Sequence, residues 1–213
     1  MSNDPPNLER LKKAREANDL EELEAACRAL LAEGIDDITA HEVQYQLGLC
    51  LLWRKENLDE AITLFGQAAK HPSKDAIATA ARTSLAICLW HNQQKAKAIF
   101  ELRKMIPKGC PPSQFTATAL DFLYMFLCDS QADPKSIQQT QALRLTHISH
   151  LHKETEDAQE KANWGLRLAV ALSEVGDGPS KARAKSLCQE IMGQKPQIDA
   201  TTVENAQTLL RSL

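Results

Sequence analysis

The stretch AHEVQYQLGLCLLWRKENLDEAITLFGQAAKHP, Ala40 to Pro72, decides the fold. Its first half puts Leu47, Gly48 and Leu51 on one stripe of a helix. Its second half puts Ala61, Phe65 and Ala68 on another, at spacings of four and three that keep all three on one face. A small residue lets a neighbouring backbone come close, and a large one fills the remaining gap. A short antiparallel pair of this kind cannot bury its apolar faces alone, so the pattern predicts copies that stack on one another.

The copies are present. From about Ile77 to Pro107, Leu85, Ala86 and Leu89 match the first-helix trio, and Ala98, Leu102 and Met105 match the second. Ala86 follows Gly48 by 38 residues. A looser copy over 158–192 has Leu168, Ala169 and Leu172, then Gly176 and Asp177, then a second helix with Ala182. It leaves room for one intervening pair, 113–152, which has helix length but lacks the signature. AREANDLEELEAACRALL, within 8–33, matches a turn and second helix.

Periodicity and the Gly, Pro, Asp and Asn punctuation predict about eleven helices and no strand, over 7–17, 19–33, 38–54, 57–70, 73–91, 93–106, 112–129, 134–152, 155–175, 179–193 and 198–212. Neither Gly nor Pro interrupts Leu151 to Asp157, so residues 134–175 fit one long helix or two, with Thr155 as the expected cap of the second. Residues 1–6 are expected to be disordered. The final amphipathic helix, with Val203, Ala206, Leu209 and Leu210 on one stripe, is read as a cap, although it also suits docking on a second chain.

The Leu-Gly pair, the small-x3-aromatic-x2-Ala spacing and the closing Pro72 resemble tetratricopeptide repeats, whose unit is about 34 residues. The likeness covers Ala40 to Pro107 well and Asn163 to Met192 loosely. Gln44 and Arg82 replace the family's early aromatic, and the turn before Ala61 is one residue longer. The resemblance implies an all-α, right-handed superhelix of antiparallel pairs forming a single domain over 1–213, with the first helices lining a concave groove. That groove would be lined by Glu42, Tyr45, Gln46, Leu49, Leu52, Trp53, Thr83, Ser84, Ile87 and Trp90, and further along by Asn163, Leu166, Arg167 and Val170.

The mode in which cations of such a groove grip a terminal carboxylate does not fit, because the matching places hold Tyr45, Leu49, Thr83 and Ile87. An apolar or amphipathic segment of a protein partner fits better, with Tyr45, Trp53 and Trp90 as candidate anchors. Trp53 and Trp90 equally suit a role in closing the turns of their own pairs.

The resemblance implies a non-enzymatic interaction module, and composition agrees with a folded protein. The 213 residues carry 25 basic and 28 acidic side chains, mixed along the chain, for a net charge of -3. That disfavours nucleic acid as a partner. No apolar run approaches the roughly 20 residues of a membrane span, so no membrane insertion and a cytoplasmic location are expected. Cys27, Cys50, Cys88, Cys128 and Cys188 lie mostly in apolar helical stretches without C-x-x-C spacing, which favours reduced, buried thiols.

Three alternatives compete. A secretion-type chaperone or a self-associating subunit of a larger assembly has the same features. His147, His150 and Glu154, with His152 beside them, offer two imidazoles and a carboxylate on one helical side, but no H-E-x-x-H signature accompanies them, and surface histidines explain them as well. Cys110, in KGCPP near Lys108, lacks an identifiable base and suits a turn. His41, His71 and His91 fall near predicted helix ends. No metal, other cofactor or catalytic residue is assigned.

Overall fold

A computed structural model describes residues 6–70, 76–194 and 197–213. Eleven helices and no strand occur among the described residues. They fall into two compact units, 1–105 and 106–213. The first unit holds α1 (Pro6–Ala17), α2 (Leu20–Ala32), α3 (Asp37–Arg54), α4 (Leu58–Ala68), α5 (Ala76–His91) and α6 (Lys95–Lys104). The second holds α7 (Gln114–Asp129), α8 (Pro134–Glu154), α9 (Ala158–Val175), α10 (Gly178–Gly193) and α11 (Ala200–Ser212). His71, Pro72 and the expected disordered stretch lie outside the described residues, except Pro6, which opens α1.

Six of the described helices start where acidic or hydroxyl side chains satisfy the free N–H groups of a first turn, whereas α4 and α6 have no side-chain cap. Asp19, Asp133, Asp157, Asp177 and Asp199 each accept from backbone amides two or three residues ahead, and Ser113 forms a reciprocal capping box with Thr116. Residues 134–175 form two helices. The cap of α9 is Asp157, whose carboxylate accepts from the Glu160 amide at 2.8 Å. Thr155, expected to cap α9, instead closes α8, and its hydroxyl donates to the Leu151 carbonyl at 2.7 Å. A carboxylate two residues on outcompetes it for the new helix.

The turns inside the helix pairs repeat one hydrogen-bond pattern. Asp19, Glu56, Gln94 and Ala132 donate their N–H groups back to the carbonyls of Ala14, Leu51, Leu89 and Leu127, at 2.8 to 3.0 Å. The residue before each, Asn18, Lys55, Gln93 and Gln131, is left-handed, with φ between 52° and 60°. This is the Schellman ending of a helix, built here without glycine. Its recurrence shows that α7 and α8 form a pair in the same frame as α3 and α4. The pair thus keeps the turn of the repeat while lacking the small-residue signature at 123–127. LYMFL at 123–127 stands where the other first helices have LGLCL (47–51), LAICL (85–89) and LAVAL (168–172), and Leu47, Leu85 and Leu123 follow one another at 38 residues.

The expected register is present. Ala61, Ala86 and Ala98 are fully buried, and Gly48 is buried beneath Phe65. A Cβ on Gly48 would stand 2.8 Å from the Phe65 ring, itself fully buried and flanked by Tyr45 at a centroid distance of 5.9 Å. In the second unit, Leu168, Ala169, Leu172, Ala184, Cys188 and Ile191 make the equivalent core.

Two glycines of the first unit therefore respond in opposite senses to alanine. Overpacking costs about 1–3 kcal/mol, against about 1 kcal/mol gained in helix propensity, so Gly48→Ala should lower the urea midpoint. A Cβ on Gly66, in α4, meets no atom within 4 Å. Gly66→Ala should therefore raise the midpoint by the equivalent of about 1 kcal/mol. Urea titrations followed by circular dichroism check both.

Candidate functional site

In the first unit the expected lining divides by depth. Glu42 and Trp53 are exposed, whereas Tyr45, Gln46, Leu49, Ile87 and Trp90 are half-buried. Leu52, Thr83 and Ser84 are buried in intramolecular packing, and the Thr83 hydroxyl faces Met105 Sδ at 3.6 Å. Because α5 packs against α3, α4 and α6 at once, its buried face is wider than a single stripe. Tyr45 and Leu49 lean on the core beneath them. The Lys95 ammonium stands 4.7 Å from the centre of the Trp90 ring, in the turn between α5 and α6.

The second unit contains a larger feature. A cleft of about 730 Å³ opens between α7 and α9, lined by Asp121, Phe122, Tyr124, Met125, Cys128 and Asp129 from α7, Arg144 from α8, and Leu166, Arg167, Val170 and Glu174 from α9. Leu166, Arg167 and Val170 belong to the lining expected from sequence. Exposed Asn163 is drawn instead toward α11, where its amide oxygen accepts from Thr202 Oγ1 at 3.0 Å. The α7 and α8 residues of the cleft are absent from the sequence expectation.

The cleft follows from one altered pairing. Leu123, Tyr124 and Leu127 occupy the frame in which α9 has Leu168, Ala169 and Leu172, so a tyrosine stands where α3, α5 and α9 keep glycine or alanine. Facing it from α8 is the Arg144 guanidinium, 5.0 Å from the centre of the Tyr124 ring. α3 and α5 approach within 8 Å between Cα atoms, as do α9 and α11, but no Cα of α7 comes that close to α9.

Arg144 is nearly buried, with 7% of its side chain exposed, and a charge so placed must be paired. Its Nε donates to Asp121 Oδ1, and its Nη1 donates to Glu174 and, at 3.2 Å, to Gln141 Oε1. Asp121 also receives Arg167, whose Nε donates at 3.2 Å. Arg167 in turn stacks on Trp164 at 4.3 Å. Asp121 thus ties three helices together. Burial would lower the Arg144 pKa, but the two carboxylates more than offset it, so the guanidinium stays charged. Burial also pushes the Tyr124 phenol up to about 12, which keeps it neutral.

Two solved structures of nearly identical TPR-like repeats, from a Podosopora anserina protein described as a kinesin light chain, are similar to this chain. One, a point variant, has a TM-score of 0.61 and covers 90% of this chain and 94% of the other; the second has 0.59, over 90% and 95%. The fold is that of TPR-like helical repeats. Both matches share 16% sequence identity with this chain, so the likeness resides in repeat geometry. No protein-family model and no curated protein sequence matches the chain.

Within these TPR-like repeats the remaining titratable residues are dispersed. His147 is buried, and its Nδ1 lies 3.1 Å from Thr116 Oγ1, which joins α8 to the capping box of α7. Burial holds its imidazole below the usual range. His150 is exposed, and His152 packs over Gly165. Among the described residues no three His, Cys, Asp or Glu side chains converge on a common point. No described helix is long and apolar enough to cross a membrane.

The six cysteines are free thiols. Burial pushes Cys27 up to about 12 and Cys50 and Cys88 up to about 11, and raises Cys188 as well. Cys128 is exposed on the cleft and Cys110 half-exposed in its turn. Under native conditions a disulfide-exchange reagent should label Cys128 fastest, then Cys110, and should reach the other four only after unfolding. Intact-mass spectrometry counts the labels.

The Arg144 network gives a second expectation. Arg144→Met leaves the partly solvated Glu174 without its cation and Asp121 with Arg167 alone, and should destabilise the second unit by about 2–3 kcal/mol, less than the 3–5 kcal/mol of a fully buried broken pair. Adding Glu174→Gln, which removes the acid left without a partner, should recover part of the loss. Chemical denaturation of the single and double variants tests this.

Proposed function

We propose that the chain is a non-enzymatic scaffold, cytoplasmic and cofactor-free, that holds a segment of a partner protein on the faces of its first helices. The observation that carries this reading is the cleft of about 730 Å³ between α7 and α9. Its size falls in the range of about 300–1,000 Å³ typical of ligand sites. Apolar groups line its wall, with Phe122, Met125, Leu166 and Val170 accessible around a floor of paired charges. TPR-like repeats are interaction folds by analogy, and analogy of fold contributes only background here.

In the first unit, Glu42, Tyr45, Gln46, Leu49, Trp53, Ile87 and Trp90 offer a second contact face of the same mixed, mainly apolar character. Large aromatic side chains dominate binding energy when an interface covers them, and Trp53, at 57% exposure, has the most surface left to bury. Leu52, Thr83 and Ser84 would act from beneath as packing.

The test is capture by immobilised protein, compared across variants by quantitative mass spectrometry. Proteins retained by the wild type should fall by about tenfold or more with Tyr45→Ala/Trp90→Ala or with Met125→Asp, since a buried anchor contributes at least about 2 kcal/mol, while the helical spectrum is unchanged. Retention that ignores both sets of substitutions would overturn the reading.

A further inference from the structure

We infer that the cleft between α7 and α9 takes a partner segment presenting a large apolar side chain together with a lysine or arginine, the cation lying toward Glu174. The inference rests on the scaffold reading and adds the chemistry of the guest. The cleft's lining holds three carboxylates, Asp121, Asp129 and Glu174, against two guanidinium groups, Arg144 and Arg167.

The two guanidinium groups are committed to partners inside the protein. Arg144 is bound by Asp121, Glu174 and Gln141 and stacks on Tyr124; Arg167 is bound by Asp121 and stacks on Trp164. An incoming carboxylate would have to displace one of these acids from a nearly buried arginine. A cation needs no such displacement, because Glu174 keeps 37% of its side chain exposed at the mouth.

The helix ends add to this bias. α7 and α9 both run antiparallel to α8, so their C-termini lie at the same end of the cleft, where Asp129 and Glu174 stand. A helix C-terminus carries partial negative charge that a basic residue in the last turn ordinarily complements. Neither α7 nor α9 has one. The apolar part of the guest belongs between Met125, which is 49% exposed, and Val170, where the helices stand apart.

Cys128 lies on the cleft wall and serves as a reporter of occupancy. A random twelve-residue peptide library is selected on the immobilised full chain, and the most enriched peptide is synthesised with a fluorophore. The enriched set should carry an apolar residue with Lys or Arg and should be depleted in Asp and Glu. The peptide at saturation should slow alkylation of Cys128 by about tenfold, read by peptide mapping in a Cys110→Ser chain. Glu174→Gln should weaken binding by about threefold to fivefold, the scale of a partly exposed ion pair, and Met125→Asp should abolish it, with melting curves confirming that both variants fold.

Enrichment of acidic peptides, enrichment without charge preference, or binding that leaves Cys128 fully reactive overturns the inference. In the last case, loss of binding with Tyr45→Ala/Trp90→Ala leaves the scaffold reading standing without the cleft. If no peptide is enriched, both readings fall.

Discussion

Gly48 has no side chain, and Phe65 fills the space it leaves. That single complementarity, small on the first helix against large on the second, sets how near two helices of a pair can come. Where it holds, the apolar stripes close on one another. Ala61, Ala86, Ala98, Ala169 and Ala184 continue the theme, all fully buried. The caps and Schellman turns fix where each helix begins and ends, but they would be compatible with many packings. The small-to-large contact selects one.

The pair α7 and α8 keeps the frame and changes the contents. Tyr124 takes the small position of the first helix, and Arg144 takes the place that Ala68 has in α4. Neither can retreat into a compact core, the first because of its volume and the second because of its charge. A buried ion pair is weak support for stability, since desolvation offsets much of the attraction. Here its role is geometric. Asp121 receives both arginines, and Glu174 the outer face of one, so three helices are held at a defined separation with an accessible gap between two of them.

Much of this could be read from residue spacing. All eleven helices were expected within a few residues of their ends, and the register of Gly48, Ala61, Ala86 and Ala98 follows directly from the four-and-three spacing. On α9, Leu166, Arg167 and Val170 were legible because the stripe opposite a packing trio must face away from it. The cleft itself was not legible. Searching for a small residue after leucine passes over LYMFL, in which tyrosine breaks the rule being sought, and Arg144 reads as a polar outer residue of a helix rich in Gln and His. The network exists only once three helices meet. The burial of Thr83 and Ser84 escaped for a related reason, since the number of neighbours around α5 is a tertiary property.

The exchange of Gly48 and Ala68 for Tyr124 and Arg144 also bears on how such a repeat can change over evolutionary time. Replacing Tyr124 by alanine alone would leave a void beside a buried charge. Replacing Arg144 by alanine alone would leave Glu174 without its cation and Asp121 with Arg167 alone. Neighbouring substitutions of this kind are far from additive, so a return to ordinary packing needs several coordinated changes with unfavourable intermediates. The fourth pair therefore has no single-substitution route back to ordinary packing.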